Sequence, residues 1–213
     1  MTAIYHITHV NNLAAILRER QLVCDAEAAR RQLPAQGIGH SHIKERRARS
    51  AVPVGPRGVL ADYVPFYFAP RSPMLYAIHT GFVQGYTGGE REVVHLVSSV
   101  EVVAGRELPF VFSVGHAVVS LSRFFTELTH LADLDWPVME LTYWNDTQAD
   151  PDRSRRRQAE FLVHRSFAWE LVTEVGVLDE AMHNHVEDVL SAAGATTPVV
   201  NHRDWYYMRE LER

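Results

Sequence analysis

Residues 144–163 read WNDTQADPDRSRRRQAEFLV, and the chain is best understood outward from this stretch. Residues 144–157 are polar, contain Asp150-Pro151 and carry Arg153, Arg155, Arg156 and Arg157. No apolar periodicity runs through them, which predicts a long loop. From Gln158 to Val163 the composition turns apolar over a strand-sized run. Glu160 lies at the start of that strand and is the only acid between Arg153 and Trp169. Taken alone, such a carboxylate reads as a solvated strand end.

The flanking sequence supplies the rest of a sheet. Residues 3–7 alternate and are β-branched, which predicts a short strand. A helix follows from Asn12 to Arg20, with Leu13, Ile16 and Leu17 on one face and Asn11 or Asn12 as cap. Residues 25–33 read as a helix stopped by Pro34. Gly37–Ile43 then leads into a basic helix, Ile43–Ser50, and residues 51–58 form a Pro- and Gly-rich loop. Further strands are expected at 59–69, 93–103, 109–112, 118–121, 167–172 and 197–200. Helices are expected at 74–82, 122–131 and 178–193, the last ending at Gly194. The segment 203–213, with Trp205, Tyr206 and Tyr207, closes the chain. No repeat or linker separates two cores. The expectation is one α+β domain over residues 1–213, built on a strongly bent or split sheet with a helical insertion at 25–57.

Composition narrows the function. The 213 residues are 46% hydrophobic and 22% charged, an ordinary globular balance. Cys24 is the only cysteine, so an intramolecular disulfide and a Cys-rich zinc motif are excluded. With no signal-like N-terminus and no apolar run near the ~20 residues of a membrane helix, a cytoplasmic protein without membrane association is expected. The net charge of −5 argues against a general nucleic-acid binder. Charge is nevertheless clustered. Lys44, Arg46, Arg47, Arg49 and Arg57 face one acid, Glu45, within 44–57, and a second basic run occupies 153–157. A basic cleft on an acidic protein still attracts a polyanion.

The common chemical motifs are absent. There is no GxxxxGK[ST], no GxGxxG after a strand, no HExxH and no GxSxG. His40 and His42 lack neighbouring ligands, so no metal is expected. What remains is an ordered set: Tyr5-His6-Ile7-Thr8, then Tyr67 to Tyr76 (YFAPRSPMLY), then Arg157 to Val163 (RQAEFLV). Each segment is weak alone. In this order they resemble the His-Tyr-Glu subgroup of the ADP-ribosyltransferase superfamily, which includes the poly-ADP-ribose polymerases. Over nearly the whole chain, YHITHVNNLAAIL, the GHxxIKxxR helix, DYVPFYFAPRSPMLY and RxAEFLV resemble the DarT family. Its members are toxins that transfer ADP-ribose from NAD to a base of single-stranded DNA, and a macrodomain hydrolase of the DarG type is the antitoxin partner.

The resemblance implies roles. Breaking the nicotinamide–ribose bond develops positive charge on the ribose, and Glu160 would stabilise that charge and take a proton from the attacking base. His6 would bind the adenosine ribose, the Ile7 backbone the nicotinamide amide, and Thr8 and Gly37 would complete the NAD contacts. Ser72 and Tyr76 match the superfamily's serine and stacking tyrosine, although Tyr76 at helical spacing from Ser72 equally fits core packing. Asn12 fits a helix cap or a ligand contact. The insertion would cover NAD and limit its hydrolysis, with the basic helix as part of that cover. A catalytic arginine belongs at the end of that helix, near position 51, where this chain has Ala51. Either Arg49 takes the role or the residue has been lost.

For DNA, the candidates are Arg71, Met74, Arg91, Arg153, Arg155 and Arg156, with the arginines on phosphates and Met74 against a base. The basic helix and short length favour thymidine as acceptor over guanine. The same chemistry on RNA or protein, or a non-catalytic binder of the same fold, are the alternatives. A monomer is expected.

Overall fold

The structure, a computed structural model, describes residues 1–208. The chain opens with β1 (Ala3–His9), α1 (Leu13–Glu19), β2 (Gln21–Val23), α2 (Asp25–Arg30) and α3 (Ser41–Arg47). β3 (Tyr63–Tyr67), α4 (Pro73–His79), β4 (Val93–Ser99) and α5 (Val100–Gly105) follow. Then come β5 (Phe110–His116), β6 (Phe124–Phe125), α6 (Trp136–Glu140) and α7 (Arg153–Arg157). β7 (Ala159–His164), β8 (Ser166–Ala168), β9 (Glu174–Val177), α8 (Glu180–Ala192) and β10 (Val199–Asn201) complete the order.

Eight strands form one sheet in the order β10-β9-β4-β1-β3-β7-β5-β6, and β2 pairs separately with β8. The eight-stranded sheet is antiparallel except for β10 on β9. β1 runs fully along β4, from Ala3↔Ser99 to His9↔Val93. Against β3 it pairs only at Tyr5↔Tyr67, among the described residues. The two central strands therefore part beyond Tyr5, which is the expected split. Past that pair, the β3-facing edge of β1 has main-chain groups not used in a ladder, and such groups call for a partner. β7, the strand carrying Glu160, is buried along AEFLV between β3 and β5. Phe66, Phe112, Phe161 and Phe167 fill the core around it.

Several elements differ from the sequence-based expectation for local reasons. The strand expected over 93–103 stops at Ser99, whose Oγ accepts from the Val102 N–H at 3.2 Å and caps α5. Residues 122–131 are not an α-helix: Phe124 and Phe125 pair with β5, and Leu128–Asp133 is a 3-10 turn. Residues 118–121 form a turn, not a strand. The strand expected from Val59 begins at Tyr63, because Asp62 accepts from the Val59 N–H at 2.8 Å and closes a tight turn first. Segment 144–157 ends in the short helix α7 instead of remaining loop throughout. The last residues of the closing segment, 209–213, lie outside the described residues. Among the described residues, no helix is long and apolar enough to cross a membrane.

Candidate active site

A cavity of about 510 Å3 opens where β1 and β3 part. β1 contributes His6, Ile7 and Thr8, β3 contributes Tyr67, and β7 contributes Glu160 with Gln158 just before it. His116 enters from the end of β5. Asn12, the segment 33–40 and α3 form the opposite wall, and Met74 reaches in from α4.

Glu160 is 4% exposed, and its Oε2 accepts from Arg47 Nη1 at 2.6 Å. Arg47 is itself 8% exposed. Burial pulls the Arg47 guanidinium towards neutrality, but the charge of Glu160 and the hydrogen bond to it win, so Arg47 is held above its ordinary value. Arg47 Nη2 is buried with no hydrogen-bond partner among the described residues. A buried guanidinium N–H without a partner is costly, and it fits a ligand acceptor in the cavity.

The neighbours are tuned to stay neutral. Burial raises Tyr67, and the Glu160 charge adds to this, so its hydroxyl remains a donor at physiological pH. Burial lowers His116 against the pull of Glu160, with Arg47 and Arg46 adding to the lowering. His6 is lowered chiefly by burial. Its Nδ1 donates to the Pro65 carbonyl at 2.8 Å, which assigns the proton to Nδ1 and leaves Nε2 as an acceptor. This bond also spans the parted strands.

The backbone at Glu160 is equally specific. β5 pairs with β7 in register to Phe112↔Phe161 and resumes at His116↔Ala159. Residues 113–115 thus face Glu160 alone across a bulge. The Glu160 N–H donates to Ser113 Oγ at 3.2 Å, and Ser113 Oγ donates to the Gly115 carbonyl at 2.7 Å.

The expected residues divide into groups. His6, Ile7, Thr8, Asn12, Gly37 and Glu160 come together around the cavity, with Met74. Asn12 does not cap α1 with its side chain. Its amide clamps the covering segment instead, donating to the Gln36 carbonyl at 3.0 Å and to Thr8 Oγ1 at 3.0 Å and accepting from the Gln36 N–H at 2.7 Å. Ser72 and Tyr76 do not line the cavity. Ser72 caps α4 by accepting from the Leu75 N–H at 3.1 Å, and Tyr76 packs against Trp144 and Tyr207.

The arginine that reaches Glu160 is neither of those expected. α3 ends at Arg47, Arg49 is exposed, and Ala51 makes an isolated backbone bridge with Val59. Arg47 lies one helical turn after Ile43, which also lines the cavity. The spacing of Ile43 and Arg47 was a legible signal, since the apolar residue marks the face that turns inward. Tyr67, His116 and Gln158 also went unassigned; only the strand alternation of Tyr67 could have pointed to it.

The DNA candidates other than Met74 do not line the cavity and are mostly committed elsewhere. Arg91 pairs with Asp179 at 2.6 Å. Arg155 is bidentate to Asp152, and Arg156 to Asp150 with Asp135 behind it. Arg153 donates to the Tyr143 carbonyl and Arg71 to Thr142 Oγ1. Among the described residues, no group of His, Cys, Asp or Glu could hold a metal ion.

Comparison with known proteins supplies the family. The family model described as DarT, ssDNA thymidine ADP-ribosyltransferase, matches residues 5–207. A DNA ADP-ribosyl transferase of Thermus aquaticus is 46% identical over 212 residues, covering 99% of this chain and 91% of the relative. DarT of Thermus sp. 2.9 in complex with ADP-ribosylated ssDNA superposes with a TM-score of 0.91 at 44% identity, covering 97% of this chain and 96% of that one. The same protein in complex with NAD+ gives a TM-score of 0.88 at 42% identity, with coverage of 97% and 98%. A more distant relative, 22% identical over 98% of this chain and half of its own length, is a DNA ADP-ribosyl transferase–DNA ADP-ribosyl glycohydrolase fusion protein of Thermosipho africanus. The chain belongs to the DarT family of ssDNA thymidine ADP-ribosyltransferases.

Proposed function

We propose that this chain transfers ADP-ribose from NAD to a thymidine base of single-stranded DNA, with Glu160 as the catalytic carboxylate and Arg47 as its partner. The observation that carries this is the buried Arg47–Glu160 pair in the cavity, with Arg47 Nη2 lacking an acceptor among the described residues. NAD is a substrate here. The groups present suit it: Arg47 Nη2 as donor to an anionic or hydroxyl oxygen, His6 Nε2 as acceptor from a ribose hydroxyl and the open edge of β1 at Ile7 for the nicotinamide amide.

Nicotinamide leaves with the electrons of its bond to the ribose, and a base nitrogen forms the new bond at the same carbon. Glu160 stabilises the positive charge on the ribose in between and accepts the proton the base loses. Arg47 holds the carboxylate in place through their hydrogen-bonded ion pair. A single strand is the fitting acceptor because the reacting base edge is otherwise paired. Residues 25–57 serve as cover: Asn12 ties Gln36 across the cavity, and α3 delivers Arg47 from above. Such a cover excludes water from a reactive sugar. We place the protein in the cytosol as a monomer, opposed by a hydrolase that removes the mark.

The test is mass spectrometry of single-stranded oligonucleotides after incubation with NAD. A mass gain of one ADP-ribose is expected on thymine-containing strands only, and it should vanish with Glu160→Gln. Modification that survives Glu160→Gln, or no adduct on any strand, would sink the assignment.

A further inference from the structure

The loop before β7 and the cavity are joined by two short runs of hydrogen bonds that meet in the backbone of the β5 bulge, at the adjacent carbonyls of Gly115 and His116. Arg155 on α7 is held bidentate by Asp152, at 2.7 and 2.6 Å. Its Nη1 donates to Ser122 Oγ at 3.2 Å, and Ser122 Oγ donates to the His116 carbonyl at 2.8 Å. The same guanidinium lies against Gly115, where a Cβ would collide with Arg155 Nη1 and come within 3.0 Å of Ser122 Oγ. The Gly115 carbonyl accepts from Ser113 Oγ, and Ser113 Oγ accepts from the Glu160 N–H. Ser113 is fully buried and Ser122 nearly so.

We propose that Ser113 and Arg155 are positioning residues for the transfer reaction, which set Glu160 and His116 through the bulge and tie the loop 144–157 mechanically to the carboxylate. This rests on the reading of Glu160 as the catalytic group. Each member has a defined task. The bulge deprives the Glu160 N–H of a ladder carbonyl, and the Ser113 hydroxyl replaces it. Without that acceptor the start of β7 is free to shift, and a small displacement of a reacting group costs far more in rate than in binding. The absent side chain at Gly115 lets Arg155 close over the outside of the bulge. Ser122 then fixes the carbonyl of His116, whose ring faces the cavity. The guanidinium is therefore used for shape, not for charge: Asp152 already neutralises it.

Steady-state kinetics on a thymine oligonucleotide would test this for Ser113→Ala, Arg155→Lys and the double variant, with melting temperatures and NAD affinity measured alongside. The expected result is a fall in kcat of ~10- to 100-fold for each single variant with KM for NAD within about twofold. The double variant should lose little more than the worse single one, because both act through one network. Ser113→Thr, which keeps the hydroxyl, should recover part of the kcat lost by Ser113→Ala. The proposal is overturned if kcat is unchanged, if the loss sits in KM for NAD, or if the two losses multiply. Should Ser113→Ala fail to fold, Arg155→Lys on the partly exposed α7 carries the same kcat-against-KM test alone. A wild-type protein that modifies no DNA would instead overturn the reading of the site, and this proposal with it.

Discussion

The chain has two arginine-rich runs of similar composition, 44–49 and 153–157, and the structure uses them in opposite ways. In the second, each cation near the site is committed to the protein itself. Arg155 and Arg156 are neutralised by Asp152 and Asp150, whose carboxyls are held below their usual range by hydrogen bonds from those arginines. Arg157 is 3% exposed and donates to the carbonyls of Val138, Met139 and Arg71, pinning α6 and α4's entry to β7. In the first run, Arg47 turns inward to Glu160, while Arg46 and Arg49 stay exposed without a carboxylate partner among the described residues. Among the described residues, Arg46 donates only to the Val118 carbonyl, at 3.3 Å. The lesson is that a basic run reports charge, whereas its neighbours in space decide whether that charge is available to a ligand.

The comparison breaks most readily at Arg47. Arg47→Ala should lower oligonucleotide modification by roughly 100- to 1000-fold, since it removes a donor that meets developing or fixed negative charge in a water-poor site. Transfer rates measured by mass spectrometry would check this, and a loss under tenfold would break the contrast between the runs. Arg157→Ala should act on folding instead. It strands three carbonyls in the core, and the stability measured by urea titration should fall by about 3 kcal/mol. A variant of normal stability but no activity would show that the second run does chemistry after all.

Smaller effects sharpen the same contrast. Arg46→Ala and Arg49→Ala should each reduce the salt slope of oligonucleotide binding by about 1, whereas Arg156→Gln should leave it unchanged, because only unpaired cations release counterions on binding phosphate. Fluorescence anisotropy at several salt concentrations distinguishes them. Ala51→Arg is expected to change transfer by less than about twofold, a margin under ~0.5 kcal/mol, because position 51 is exposed and bridged to Val59 while Arg47 already occupies the place beside Glu160. A large gain would reinstate position 51 as the functional one.

Much of the fold was legible because its signals are local. The apolar run of β7, the alternation of β1, the proline-started α4 and the amphipathic α8 each announce themselves within a few residues. The misread segments are those where a side chain intervenes: Ser99 turning a β-branched run into a helix, Asp62 closing a turn before β3, Phe124 and Phe125 drawn onto the edge of β5. For the site, Glu160 and His6 could be found from their segments, but Ser72 and Tyr76 could not be told from a helix cap and a packed ring.

By itself, the sequence determined that this is a mixed α and β chain with a carboxylate at the head of a buried strand, a histidine on the first strand and a basic helix between them. Those are properties of residue type and spacing along one segment, and periodicity carries them. Only the tertiary structure decided which arginine meets Glu160, that Asn12 clamps the covering segment instead of capping a helix, and that Ser113 completes a bulge. Arg47 and Glu160 are 113 residues apart in the chain and 2.6 Å apart in space. The local sequence marks with Ile43 which face of α3 turns inward, but not the carboxylate that this face meets. It follows from strands β1 and β3 parting after Tyr5↔Tyr67, which opens the cavity into which α3 turns one face.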